Sequence, residues 1–300
     1  MRLGDEPESG NFIDNTGRGG LGFGGGGGGA LGCLLPLVMS RFGIIGVVIL
    51  LLGYCALQSL GGGGGLGLPG GGTQTNAPAG QSTLDPNTRS LLTHVLGSTE
   101  QVWGELFQKN GARYTPTTMV AYSNSDRSGC GAAQSAMGPF YCPTDQRIYI
   151  DPTFFNELTQ RFQAPGDFAQ AYVIAHEVGH HIQDLQGTLN NSQRQQSGVG
   201  EAAGNRIQVG IELQADCYAG VWAANARDDQ GRSIIEPGDI EEGMRAAEAI
   251  GDDTLQRQAQ GRVVPESFTH GTSEQRMAAL QRGVQSGDPA SCAVFTQGGY

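Results

Sequence analysis

The stretch VIAHEVGHHIQDLQG, residues 173–187, places three of the chain's five histidines around one glutamate. Together with the residues before it, this stretch predicts an amphipathic helix over 167–186, because apolar residues recur at helical spacing. His176 and His180 are one helical turn apart and lie beside the apolar stripe. Two imidazoles in that position can bind the same metal ion, so the pattern predicts a metal site at the edge of the core.

Glu177 completes an H-E-x-x-H arrangement, in which the glutamate is too near to be a third ligand but can reach a water at the metal. A second helical pattern, over 199–227, carries Glu212 and Asp216, again four residues apart beside an apolar stripe. If the two helices pack by their stripes, Glu212 would complete a His-His-Glu set for one Zn²⁺ per chain. Asp216 would accept the other N–H of a ligand imidazole. A solvated helical face is the alternative for both carboxylates.

Net charge and composition limit the partners and the architecture. The chain carries a net charge of −11, with 18 basic against 29 acidic residues, which argues against nucleic-acid binding. Helical patterns dominate, and two short stretches, 117–123 and 147–151, have the β-branched and aromatic content of strands. The expected fold class is therefore α+β and helix-rich, with a small sheet. The polar stretch 188–200 is expected to be a loop, either a lid or a spacer.

The N-terminal part of the chain differs in composition from the rest. Glycine runs flank an uncharged apolar stretch at 42–60, which is just long enough to cross a bilayer as a helix. The predicted organisation is a glycine-rich segment (1–41), a transmembrane anchor (42–60), a flexible linker (61–81) and one domain (82–300). Arginines precede the apolar stretch, so the positive-inside rule predicts a single-pass protein of the cell membrane with a cytoplasmic N-terminus. The domain would then be extracytoplasmic, either periplasmic or extracellular.

Four cysteines in the predicted domain are an even set, which suits an exported protein. Cys130 and Cys142 are close in sequence, which favours their pairing and leaves Cys217 with Cys292. Three pairings are open in principle, and free buried thiols are the alternative. No Cys-x-x-Cys pair exists, so a zinc cluster of cysteines is not expected.

Several motifs together resemble a known family. The stretches CGAAQSAMGPFYCPTDQRIYIDPTFFNEL, HEVGHHIQ, ELQADCYAGVW and FTHGTSEQR are similar to those of the bacterial membrane-anchored neutral zinc metallopeptidases of the YpfJ type, in the gluzincin branch of the zincins. The resemblance spans about 82–296. It implies a zincin-like fold, with the ligands His176, His180 and Glu212 and with Glu177 as the catalytic base. RIYID, at 147–151, could then be an edge strand along which a peptide adds, or a plain core strand.

His270 has two interpretations. The stretch SFTHGTSEQR also resembles an HP…R element of other membrane-associated gluzincins, with glycine in place of proline. There a histidine can stabilise the oxyanion of the reaction, so His270 is a second candidate catalytic residue. The alternative is a turn residue, with Arg276 pairing to a nearby acid. His181 lies one residue off the metal face and is not expected to act directly.

The expected function is a membrane-anchored zinc peptidase acting on a peptide or protein substrate, by a metal-activated water with Glu177 as general base. One alternative is a non-catalytic, zinc-stabilised extracytoplasmic binding domain. Another is a metal-dependent hydrolase of non-peptide amides. An open coordination position in a cleft long enough for a peptide would distinguish the peptidase from the binding domain.

Overall fold

A computed structural model describes residues 1–4, 7–18 and 81–298. The predicted anchor at 42–60 and almost all of the predicted linker at 61–81 lie outside these residues. Within the described ranges, no helix is long and apolar enough to cross a membrane.

The described part of the chain confirms a helix-rich α+β architecture. Its α-helices are α1 (Pro86–Lys109), α2 (Thr153–Gln160), α3 (Asp167–Leu185), α4 (Thr188–Ser197), α5 (Glu201–Asn225), α6 (Asp239–Ala249), α7 (Asp252–Gln260) and α8 (Ser273–Ser286). Its strands are β1 (Phe12–Asp14), β2 (Thr118–Ala121), β3 (Ser125–Ser128), β4 (Gly131–Gln134), β5 (Phe140–Cys142) and β6 (Arg147–Ile150). Short 3₁₀ helices occupy Ser135–Met137, Pro265–Ser267 and Pro289–Gln297.

The main sheet has the strand order β1-β2-β6-β5, and β3 pairs with β4 in a separate hairpin. β1 and β2 are parallel, as are β2 and β6, whereas β5 runs antiparallel to β6. The interpretation of RIYID as an edge strand is therefore wrong, because β6 lies between β2 and β5. The short strand β5 forms that edge instead, and it contacts α3.

Helix α3 lies at the centre of the fold and packs against α1, α5 and α6. Its apolar face is almost entirely inaccessible, with Phe168, Val178 and Ile182 each 0% exposed. Gly179 allows the close approach of α5, since a Cβ at this position would lie 2.9 Å from the carbonyl oxygen of Ala215. The glycine inside the H-E-x-x-H stretch is thus explained by helix packing rather than by chemistry.

The stretch expected to be a loop is helical. Thr188–Ser197 forms α4, which packs against α5. Gly187 between α3 and α4 has a φ of 74°, a left-handed conformation that favours glycine. The chain therefore turns at once into a new helix, where the polar composition predicted an irregular segment.

The N-terminal residues belong to the same compact unit as residues 81–298. This differs from the predicted division, in which 1–41 was a separate segment and the domain began at residue 82. β1 extends the main sheet, and Pro7 packs so closely on α1 that a Cβ at Gly97 would lie 2.1 Å from its carbonyl oxygen. Thr83 donates hydrogen bonds to Thr16 from its backbone N–H (3.1 Å) and its hydroxyl (3.2 Å).

Both predicted disulfides are present. Cys130–Cys142 joins the β3–β4 hairpin to the end of β5, and Cys217–Cys292 joins α5 to the C-terminal 3₁₀ helix. The two bonds therefore fasten the elements beside the predicted metal site.

Candidate metal centre

Three predicted ligand side chains converge between α3 and α5. One nitrogen from each of His176 and His180 and one oxygen of Glu212 all lie within 4.8 Å of one another. Oε2 of Glu212 is 3.2 Å from Nε2 of His176 and 3.5 Å from Nε2 of His180. The i, i+4 spacing on α3 places both imidazoles on one face, and α5 supplies the carboxylate opposite them.

Glu212 is held in place by its own helix. Gln208, one turn earlier on α5, donates a 2.9 Å hydrogen bond to Oε1, so that Oε2 faces the two imidazoles. Burial favours the neutral carboxyl, but His180 and His176 hold the pKa of Glu212 well below its usual range. Glu212 is therefore an anionic oxygen that faces both imidazoles.

His176 is oriented by a buried polar network. Its Nδ1 lies 2.8 Å from Oδ1 of Asp216, as the sequence predicted, and that oxygen also accepts a 2.6 Å hydrogen bond from Tyr172. Arg276 donates to both oxygens of Asp216, each at 2.9 Å. Burial opposes protonation of His176, but Asp216 outweighs it and raises the pKa of His176 to about 10. Desolvation disfavours the ionised carboxyl of Asp216, yet Arg276 brings its pKa down to about 2.

Glu177 lies beside these groups and is 6% exposed. Its Oε2 atom is buried and has no hydrogen-bond partner within the described residues. Burial raises the pKa of Glu177, against the opposing influence of His176 and His180. A buried carboxylate oxygen without a partner is costly, which indicates that another group normally satisfies it.

His270 lies at the edge of the same cleft, where α7 meets the loop before α8. Its Nδ1 is 3.4 Å from Oδ1 of Asp252, and its backbone N–H donates a 2.6 Å hydrogen bond to Oδ2. The hydrogen bond to Asp252 is the largest influence on His270 and raises its pKa. Nε2 is thus the ring nitrogen that remains for a substrate, in line with the catalytic interpretation.

His181 has a structural environment, as expected. Its Nε2 donates to the carbonyl oxygen of Thr115 at 2.7 Å, and its Nδ1 lies 3.1 Å from the hydroxyl of Tyr141. Burial lowers its pKa, which keeps the ring neutral. His181 therefore ties α3 to the segment before β2 and to β5.

A cleft of about 1000 Å³ opens over the candidate ligands. Apolar side chains from around β5 and α2 line part of it, and side-chain amides of α4 line another part: Pro139, Phe140, Phe154, Asn190, Gln193 and Gln196. The edge strand β5 is therefore exposed to the same space as the ligand cluster.

The donor set suits zinc. Two imidazole nitrogens and one carboxylate oxygen are a usual protein ligand set for catalytic zinc, which leaves one position open. Glu177 lies beside them, and a water bound at that open position would give its partnerless oxygen a hydrogen bond. His176, His180 and Glu212 would hold the ion.

Several supporting residues were not found from the sequence. Gln208 lies four residues before Glu212, and Tyr172 lies four before His176, so helical spacing could have indicated both. Asp252 contacts His270 only through the tertiary fold, and no local signal connects them. The pairing of Arg276 with an acid was foreseen only as an alternative role.

Fold and site together define a helix-rich α+β domain with a His-His-Glu cluster and a buried glutamate in an open cleft. The family model described as "Putative neutral zinc metallopeptidase" matches residues 1–295. The chain belongs to this neutral zinc metallopeptidase family.

Similar proteins occur in Escherichia coli and Mycobacterium tuberculosis. The uncharacterized protein YpfJ of Escherichia coli (strain K12) is 44% identical over 259 residues, which cover 84% of this chain and 85% of YpfJ. The uncharacterized protein Rv2575 of Mycobacterium tuberculosis (strain ATCC 25618 / H37Rv) is 43% identical over 207 residues, covering 66% of this chain and 68% of Rv2575. No solved structure matches the chain.

Proposed function

We propose that this protein is a zinc-dependent peptidase, in which His176, His180 and Glu212 hold one Zn²⁺ and Glu177 is the general base. The observation that carries the proposal is the convergence of three ligand atoms within 4.8 Å beside the partnerless buried oxygen of Glu177. A purely structural zinc site does not require a buried carboxylate next to its first ligand. Zinc bound here would supply Lewis acidity to a carbonyl group and make an attacking water more acidic.

Glu177 performs the proton transfers. Its carboxylate takes the proton of the attacking water and then delivers it to the leaving amine. The raised pKa brings this carboxyl closer to the pH at which a base can also serve as an acid. Nε2 of His270 donates a hydrogen bond to the oxyanion that develops on the substrate carbonyl.

The cleft favours an extended peptide as substrate. β5 is an edge strand that lines the cleft, so a peptide can pair with its backbone while its carbonyl groups approach the ligand cluster. The helix carrying the histidines packs against β5 and β6, and this arrangement supports a zincin-like fold. A binding domain would need neither an open position nor Glu177.

The test is a zinc titration of the metal-free full-length chain while cleavage of casein is followed. One Zn²⁺ per chain should restore cleavage in the wild type. Glu177→Gln should bind zinc equally and cleave at least about 10³-fold more slowly, a loss comparable to removal of other catalytic groups. If both variants bind zinc and neither cleaves casein or peptide libraries, the binding-domain alternative is favoured.

A further inference from the structure

His180 has a different partner from His176. Its Nδ1 lies 2.9 Å from Oε1 of Gln183, a side chain that is 0% exposed. Nε2 of Gln183 in turn donates to the carbonyl oxygen of Ile211 at 2.7 Å and to Oε1 of Gln214 at 3.0 Å. A neutral amide thus holds the second imidazole, where a carboxylate holds the first.

The direction of every hydrogen bond in this group is fixed. The carbonyl oxygen of Ile211 can only accept, so the amide nitrogen of Gln183 must face it. Oε1 of Gln183 then faces His180 and can only accept, which places the proton on Nδ1. Nε2 is the ring nitrogen left toward Glu212, where a bound metal ion would take its lone pair.

The same logic extends to the C-terminal 3₁₀ helix. Nε2 of Gln214 lies 3.3 Å from the carbonyl oxygen of Cys292 and 3.4 Å from Oγ1 of Thr296. The carbonyl of Cys292 accepts only, so Gln214 must present its oxygen to Gln183. The Cys217–Cys292 disulfide holds that carbonyl against α5.

We infer that Gln183 and Gln214 are positioning residues that form a relay from the disulfide-linked C-terminal segment to His180 and fix the metal-binding tautomer of His180. The inference rests on the proposed function, since it assigns His180 as a zinc ligand. It adds that zinc affinity depends on the C-terminal 3₁₀ helix, none of whose residues belongs to the candidate ligand cluster. Partners of this kind contribute about 10–100-fold to metal affinity.

The experiment measures the zinc dissociation constant of the full-length chain by competition with a chelator. Gln183→Met keeps the length of the side chain and removes both the oxygen that faces His180 and the nitrogen that donates to Ile211 and Gln214. The dissociation constant should therefore rise about 10–100-fold. Gln214→Met touches no ligand and should produce a smaller rise in the same direction. The matched control is Asn225→Leu, on the same helix, which also removes two hydrogen bonds, to the carbonyl oxygens of Val221 and Gly287. This control should leave zinc affinity unchanged.

A second readout needs no zinc. With only five histidines in the chain, the ring nitrogen chemical shifts of His180 can be assigned in isotope-labelled, metal-free protein. The wild type and Asn225→Leu should show an Nδ1 proton that the hydrogen bond to Gln183 protects from exchange with water, and Gln183→Met should lose that protection.

Two outcomes would overturn the inference, and they differ. A zinc-binding wild type together with unchanged affinity and unchanged exchange of the His180 Nδ1 proton in Gln183→Met would refute the relay alone. A wild type that binds no zinc would refute the proposed function and the relay with it.

Discussion

His176 and Asp216 are joined by a 2.8 Å contact between Nδ1 and Oδ1, and the other side of the same carboxylate is paired with Arg276. Asp216 is 0% exposed, and the side chain of Arg276 is 4% exposed. One buried aspartate thus orients a candidate ligand and neutralises a buried cation. These two roles of Asp216 can be separated by mutation.

Asp216→Asn keeps the size of the side chain and removes its charge. We expect the free energy of unfolding to fall by about 3–5 kcal/mol, because Arg276 loses its buried counter-charge. Zinc affinity should fall about 10–100-fold. Urea unfolding and chelator competition measure the two effects. Adding Arg276→Met to this variant removes the unpaired cation, so it should recover much of the stability without recovering zinc affinity. A double variant no more stable than Asp216→Asn would contradict this account.

The pH dependence of hydrolysis should carry the signature of His270. Asp252 raises its pKa above the usual value, so the protonated ring persists to higher pH and is lost as the pH rises through the raised pKa. The alkaline limb of kcat/KM should reflect this loss. Asp252→Asn should move that limb to lower pH.

Asp253→Asn is the control, since Asp253 accepts from Ser273 and does not contact His270. An alkaline limb that stays in place in Asp252→Asn would exclude His270 as its source.

The two disulfides should differ in their contribution to stability. The Cys130–Cys142 bond spans 12 residues and the Cys217–Cys292 bond spans 75. In the chain-entropy model, replacing both cysteines by serine should lower the free energy of unfolding by about 3 kcal/mol for the first pair and about 4.5 kcal/mol for the second. Urea-unfolding midpoints of the two double-serine variants measure the difference, and the reverse order would contradict the model.

Gly179→Ala should destabilise the packing of α3 on α5. The added methyl group would lie 2.9 Å from the carbonyl oxygen of Ala215, so the helices must separate. This should lower the free energy of unfolding by about 1–3 kcal/mol. Gly204→Ala is the matched control: it lies inside α5, and its nearest neighbour would be 4.0 Å from the new Cβ. That substitution should be neutral or stabilise the protein by up to about 1 kcal/mol through helix propensity. Thermal unfolding of both variants is the measurement, and equal effects would count against the packing argument.

The parts of the site that could be predicted are those set by local spacing. Helical periodicity placed His176 with His180 and Glu212 with Asp216, because residues four apart share a face whatever the tertiary fold. Packing of the two helices by their apolar stripes then brings the two polar pairs together, so this contact was also predictable.

The features that the sequence did not predict depend on long-range contacts. The edge strand β5 has three residues and carries no pattern long enough to detect, so the sequence left open whether β6 was an edge strand or a plain core strand. The polar segment Thr188–Ser197 is helical because it packs on α5, and tertiary contacts override weak local propensity. Asp252 and His270 meet across 18 residues through a fold that no local signal reveals.

The contact between Thr16 and Thr83 bears on the compartment in which the N-terminal strand lies. Parallel pairing of β1 with β2 requires both strands in one compartment. Reporters fused before Met1 and after Tyr300 should therefore report the same compartment, and the N-terminal strand shares the environment of the candidate metal ligands.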